Sequence, residues 1–421
     1  FFFLAVVCIR DSVASRGLGD VYKRQMDSLR KSLNELLSES VKRGDIPGVA
    51  VKTIRGNETL YEGAFGEREL GSGTAMTLDT VIAIASMTKA ITATAVMQLV
   101  EQGKLDLDAP TSGIVPYLGE VEVLEGFDED GQPVTRAPKT TITLRNLLTH
   151  TAGFGYEFWN QEILDFQSAT CSPSNFTRTL ASMKTPLLFD PGSNWNYGVD
   201  IDWAGQMVEA VTGERLGKYM QDHVFAPLSM NSSGFRVDAD MNTRLASMHL
   251  RDSDGGLSPV DNDDPMSEPE IDTGGSGLLS TVEDFTKFVG MILNKGACDS
   301  GWILHPETIA IMAANNLGEN RIMPMVSSTP AYSNDVEFFP GIEKGWGLSF
   351  MINLSVAPTG RSPGSLAWAG LTNCYYWIDP AKDVAGVYAT QIFPFGDKLS
   401  LPLFMEFEKT VYGNLPQEVD D

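Results

Sequence analysis

The chain has 421 residues, 43% of them hydrophobic, and a formal charge of -24. That length can bury a large core, in one big domain or two subdomains. The acidity opposes binding to nucleic acid or to an anionic membrane surface, and no apolar run is long enough to span a bilayer.

Residues 1–25 differ in character from the rest of the chain. Phe1 to Ile9 is apolar and of signal-peptide length, but it lacks a positive n-region. Cys8 to Gln25 resembles translated adapter read-through of assembled environmental sequences. Residues 1–25 are therefore expected to be a non-native leader, with Met26 opening the domain. A genuine signal would instead direct the protein to the periplasm or the outside. After the leader, Cys171, Cys298 and Cys374 are too widely spaced for a disulfide framework or a zinc site, which suits a reducing cytoplasm. His150, His223, His249 and His305 show no metal-ligand pairing, so neither a metal nor a cofactor is expected.

Met26 to Arg43 puts Leu29, Leu33, Leu36, Leu37 and Val41 on one stripe, which predicts an amphipathic helix. Val49 to Ile54 and Thr59 to Phe65 read as a hairpin turning at Arg55-Gly-Asn57. Ser86 to Gln102 is rich in Ala, Met, Leu, Val and Thr and is stopped by Gly103, as a helix would be. Glu120 to Thr143 reads as a hairpin excursion turning at Glu129-Asp-Gly131. A short helix is predicted over Leu144 to Thr149, followed by an aromatic loop, Phe154 to Trp159. Val199 to Thr212 and Tyr219 to Leu228 continue the helical middle.

Arg251 to Thr273 is acidic and rich in Gly, Ser and Pro, and is expected to be a long surface loop. Ser280 with Glu283 predicts a capping box for a helix over Thr281 to Asn294. Strands return at Gly345 to Leu354, Leu366 to Trp368, Cys374 to Asp379 and Ala385 to Gln391, and a helix over Leu401 to Tyr412 closes the chain. Strands at both ends of a helical middle predict an α/β (α+β) fold. Residues 26–80 and 340–421 would form a sheet subdomain and residues 81–339 a mainly helical one, with the hairpin excursion at 120–143 and the active site between them.

The chemistry-bearing stretch is Ala85-Ser-Met-Thr-Lys89. At helical spacing Ser86 and Lys89 share a face, one turn apart. A helix N-terminus favours an alkoxide-like oxygen and disfavours an ammonium, and burial lowers a lysine pKa further. A neutral lysine beside a serine hydroxyl is a nucleophile with its own base. Ser28-Leu-Arg-Lys31 matches the same pattern, but it falls on the charged face of the first helix, where a solvated lysine is the simpler reading. The aromatic loop is equally a core filler or a wall for an apolar acyl group. No Gly-x-Ser-x-Gly occurs, which excludes an α/β-hydrolase elbow.

In this order and spacing, five sets of residues carry a resemblance: Ala85 to Lys89, Leu147-Leu-Thr-His-Thr-Ala-Gly153, Tyr197-Gly-Val199, Gly274-Gly-Ser-Gly277 and Trp368-Ala-Gly370. Together with Phe154 to Trp159 and Tyr376-Trp-Ile-Asp379, they resemble the serine β-lactamase and penicillin-binding-protein family. Within it the chain is most similar to class C-like, family VIII carboxylesterases, in particular those acting on 1,4-butanediol diacrylate. The resemblance implies an antiparallel sheet flanked by helices with an inserted helical domain. It implies Ser86 as the acylated nucleophile, Lys89 as its base and Tyr197 as the second acid/base group. The backbone N–H groups of Ser86 and Leu371 would form the oxyanion hole.

Tyr156, Phe158, Trp159, Trp368, Ala369 and Gly370 are the candidate substrate-binding residues. Trp368-Ala-Gly370 stands where lactamases carry Lys-Thr-Gly, and Val199 where they commonly carry asparagine. These departures favour small neutral esters over anionic lactams. An acyltransferase, a β-lactamase or D-amino-acid peptidase, and a non-catalytic scaffold are the competing readings. Ser28→Ala and Lys31→Ala are expected to leave esterase activity within about twofold of wild type, as surface substitutions do. A large loss in a folded variant would show that the wrong Ser-x-x-Lys had been chosen.

Overall fold

The computed structural model describes residues 23–260 and 268–415. Its centre is a seven-stranded sheet. Two strands come from the N-terminal part of the chain, β1 (Gly48–Arg55) and β2 (Glu58–Gly66). Five come from the C-terminal part: β3 (Lys344–Trp346), β4 (Met351–Asn353), β5 (Leu366–Gly370), β6 (Cys374–Asp379) and β7 (Val384–Ala389). The order is β3-β4-β5-β6-β7-β1-β2, and every pairing is antiparallel. The chain thus closes its sheet by docking its last strands against its first hairpin.

Both faces of this sheet are covered, because successive strand side chains point to opposite sides. On β6, Tyr376 meets Phe285 of a helix over Val282–Leu293, with ring centroids 5.2 Å apart. Its neighbour Tyr375 stacks at 4.4 Å on Phe404 of the closing helix, Ser400–Gly413. The first helix, α1 (residues 23–42), buries Leu29, Leu33 and Leu37, and its Asn34 accepts from the Tyr61 hydroxyl of β2 at 2.8 Å. The leader expected at 1–25 falls outside the described residues, except for 23–25, which already lie in this helix.

Three expectations are corrected. Gly345 to Leu354 is not one strand but the hairpin β3–β4. Its turn is set by packing: a Cβ on Gly347 would lie 2.1 Å from the Met312 carbonyl oxygen, and Ser349 has φ +76°. The helix at 282 is capped by Thr281, whose side chain accepts from Asp284 N–H; Ser280 instead meets the Ser233 hydroxyl at 2.8 Å. Arg251 to Thr273 is not wholly loop, since Met248–Arg251 pairs with Leu257–Val260; residues 261–267 lie outside the described residues. The sequence reading also missed helices at Gln161–Thr170 and Pro306–Ala313.

One ion pair ties the closing helix to the sheet. Glu408 accepts from Arg361 through both its oxygens at 2.5 Å and from Thr359 at 2.6 Å. Both charged side chains are almost wholly buried. Arg361→Met leaves Glu408 uncompensated, and breaking such a pair costs about 3–5 kcal/mol. Urea unfolding should register that loss, and an unchanged midpoint would contradict it.

Candidate active site

Ser86 sits in a single 3-10 turn, Ala85–Met87, that leads directly into a buried helix, α2 (Thr88–Glu101). Ala85 before it is held at φ +44°, a left-handed conformation costly for a residue with a Cβ. The turn is clamped from the sheet side. Thr372 Oγ1 donates to the Ala83 carbonyl at 2.8 Å, and a Cβ on Gly370 would lie 2.3 Å from the Ile84 carbonyl oxygen. Glycine at 370 therefore lets the end of β5 approach the nucleophile turn. Ser86 and Leu371 both line the cavity that opens there.

Lys89 lies one turn on and is wholly buried. Its Nζ donates to the Gly275 carbonyl at 2.7 Å and lies 3.1 Å from the Tyr156 hydroxyl oxygen and 3.2 Å from Ser86 Oγ. Burial pushes its pKa down to about 7, against the upward pull of Asp202 and Asp200. The amine is thus available as a base near neutrality. Tyr197 is buried beside it, with Lys89 Nζ 4.6 Å from the centroid of its ring. Trp368 Nε1 donates to the Tyr197 hydroxyl at 2.8 Å. Burial raises the Tyr197 pKa, so the group is a phenol in the resting site.

The helix that follows Tyr197, α3 (Asp200–Thr212), places Asp200 and Asp202 in its first turn. Its N-terminal dipole favours carboxylates there. Asp200 Oδ2 is 3.0 Å from Nδ1 of His150, and both side chains are fully buried. Burial lowers the His150 pKa and raises that of Asp200. The His150 ring packs 4.6 Å from that of Tyr197. Asp202 accepts from Gly275 N–H at 2.8 Å and from the Tyr156 hydroxyl at 3.3 Å.

The cavity at Ser86 holds about 280 Å³. Tyr156 and Phe158, stacked with ring centroids 5.0 Å apart, line it together with Phe176, Leu245, Met248, Leu279, Leu371 and Phe393. Trp159, Trp368, Ala369 and Gly370 do not. Trp159 Nε1 donates to Ser333, and Trp368 holds Tyr197. Sequence reasoning placed Tyr156 as an acyl wall; it does line the cavity, and its hydroxyl also faces Lys89 and Asp202. It missed Asp200 and Asp202, whose only signal was two acids in the first turn of a helix close behind Tyr197. It also missed Arg178, a cation in the cavity lining with no ion pair among the described residues. The sequence reading looked for a cation only at the Trp368–Gly370 strand, whereas Arg178 reaches the cavity lining from another segment. No group of three or more metal-ligating side chains forms among the described residues, and no described helix is long and apolar enough to cross a membrane.

A family model described as Beta-lactamase matches residues 33–404. A lovastatin esterase of Penicillium rubens is 32% identical, over 89% of this chain and 96% of its own. A monacolin J acid methylbutanoyltransferase of Aspergillus terreus is 29% identical over 90% and 94%. Among solved structures, the unliganded simvastatin synthase LovD of Aspergillus terreus superposes with a TM-score of 0.80 at 28% identity, over 91% of this chain and 98% of that one. EstCE1, a hydrolase with promiscuous acyltransferase activity, shares the fold with a TM-score of 0.73 at 22% identity, over 92% and 99%.

Ser86→Ala should abolish acylation. Lys89→Ala and Tyr197→Phe should each slow it by about 10² to 10⁴, the range for loss of a proton-transfer group. Single-turnover release of p-nitrophenol measures this, and a folded Lys89→Ala enzyme with unchanged turnover would rule out the base.

Proposed function

Because this chain belongs to the β-lactamase family and its relatives include esterases and acyltransferases, we propose that it is a serine carboxylesterase working through an acyl-enzyme on Ser86. The observation that carries the reading is the buried amine of Lys89, with a pKa near 7, in contact with Ser86 Oγ at an apolar cavity. Lys89 takes the hydroxyl proton as Oγ bonds to the ester carbonyl carbon. The displaced carbonyl electrons settle on oxygen, facing the N–H groups of Ser86 and Leu371. Collapse of that intermediate expels the alcohol, which leaves with a proton relayed from Lys89 through Tyr197. Water then attacks the acyl-enzyme by the same steps in reverse order.

The cavity wall favours short acyl chains. Each buried methylene contributes about 0.8 kcal/mol until the space is full. Similarity to the family VIII esterases, including those for butanediol diacrylate, fits this substrate class. The second reading is acyl transfer, in which an alcohol replaces water; it is supported by the transferases among the relatives. Arg178 supports a substrate or acyl acceptor that carries a carboxylate, because an arginine with no ion pair among the described residues offers a forked donor to one.

Turnover of p-nitrophenyl esters should rise from acetate over the first few carbons and exceed that of nitrocefin. Equal or better efficiency on nitrocefin would overturn the ester assignment. Arg178→Ala should raise KM about tenfold for a mono-p-nitrophenyl ester of a dicarboxylic acid, as expected for a lost hydrogen bond to a charged group. The effect on p-nitrophenyl butyrate should be smaller, and equal effects on both would remove Arg178 as a carboxylate partner.

A further inference from the structure

We propose that Asp202 is a positioning residue that accepts the hydrogen bond of the Tyr156 hydroxyl, leaving the electron pair of Lys89 free for the proton of Ser86. The proposal rests on the acyl-enzyme reading above.

Donors and acceptors around the amine can be counted. A neutral lysine has two N–H groups and one electron pair. Three oxygens surround Lys89 Nζ: the Gly275 carbonyl at 2.7 Å, the Tyr156 hydroxyl at 3.1 Å and the Ser86 hydroxyl at 3.2 Å. The carbonyl only accepts, so it commits one N–H. The other N–H and the electron pair are divided between Tyr156 and Ser86, and either hydroxyl can donate or accept. If Tyr156 donates to Nζ, the pair is occupied and Ser86 faces an N–H. If Ser86 donates, the pair already points at the proton it must remove. The direction of the Tyr156 proton decides between the two.

Asp202 settles that direction. Its Oδ2 stands 3.3 Å from the Tyr156 oxygen; burial raises its pKa, the hydrogen bonds from Gly275 N–H and Tyr156 favour the carboxylate against that, and a carboxylate only accepts. Tyr156 therefore donates to Asp202 and accepts from Lys89. Asp202 is fixed in turn by Gly275 N–H on Oδ1 at 2.8 Å. The same residue thus holds Lys89 with its carbonyl and Asp202 with its N–H. A Cβ on Gly275 would lie 2.3 Å from Asp202 Oδ2 and 2.9 Å from the Tyr156 oxygen, so only glycine fits there. Networks of this kind rigidify a site when every member is satisfied.

The titratable groups around Lys89 are Asp202 and Asp200 from α3, Tyr156 and Tyr197, with His150 behind Asp200. Burial keeps both phenols protonated and the imidazole neutral. Asp202 is the stronger of the two carboxylates that draw the Lys89 pKa upward. The base acts as the neutral amine, so acylation appears as pH rises through its pKa. Removing the Asp202 charge must then move the acid limb of kcat/KM to lower pH.

The test is single-turnover acylation by p-nitrophenyl butyrate against pH, in Asp202→Asn, Tyr156→Phe and the double variant. In Asp202→Asn the new amide donates to Tyr156 and turns its proton onto Lys89. The plateau should fall about 10- to 100-fold, the scale of a misaligned reacting group, with the acid limb displaced downward in pH. Tyr156→Phe removes the competing proton and should cost about tenfold or less. In that background Asp202→Asn should cost only about twofold more, because coupled residues do not add. Additive losses, an Asp202→Asn plateau at the wild-type value or an unmoved acid limb would overturn the proposal. If Asp202→Asn does not fold, Tyr156→Phe decides alone: a loss matching that of Tyr197→Phe would show that Tyr156 carries the proton itself, and would overturn it. Retained acylation in Ser86→Ala would instead sink the acyl-enzyme reading.

Discussion

The constraint on which the site depends is the burial of one amine. Lys89 lies at the start of a helix whose face is packed on all sides, and its Nζ has no exposure to water. Desolvation alone would make it a poor cation and two nearby carboxylates would make it a good one; the balance leaves its pKa near 7. The surrounding architecture maintains that balance. The first turn of α3 supplies Asp200 and Asp202, the loop at Gly275 supplies a carbonyl, and the aromatic loop supplies Tyr156. The sheet closes the other side through Gly370 and Thr372.

This explains why the strained turn at Ala85 can persist. A residue held at an unfavourable φ survives only where its surroundings over-determine it. Here the turn is held by hydrogen bonds from Thr372 and Gln391 at Ala83 and by the close approach of β5. The nucleophile is therefore positioned by the rigid seam between sheet and helices.

Much of the fold is legible in the sequence because its elements are locally consistent. β6 reads as a strand from its aromatic and branched residues, and the short helix expected over Leu144–Thr149 forms over that span, capped in the structure by Thr143 with Asn146. What is not legible is decided by tertiary contact. Gly347 turns a strand back because Met312 leaves no room for a side chain. Thr281, and not Ser280, caps its helix, while the Ser280 hydroxyl bonds Ser233. The same division holds at the site. Ser86 and Lys89 lie one turn apart and can be read together. Tyr156, Asp202 and Gly275 come from three separate segments, and only folding makes them neighbours of Lys89. Trp368 is read as a substrate wall from its aromatic type and its place in the Trp368-Ala-Gly370 motif; its N–H bonds the Tyr197 hydroxyl.

The central claim is that Ser86 is activated by a neutral, buried Lys89. Its most direct test is the rate of covalent labelling by a fluorophosphonate, followed across pH by intact-protein mass spectrometry, with the modified residue located by peptide mapping. The account predicts a single adduct on Ser86, forming faster as pH rises and half-maximal near pH 7, where the amine loses its proton. An adduct elsewhere, or a Ser86 labelling rate that does not change between about pH 5 and pH 9, the window in which such a base titrates, would contradict it.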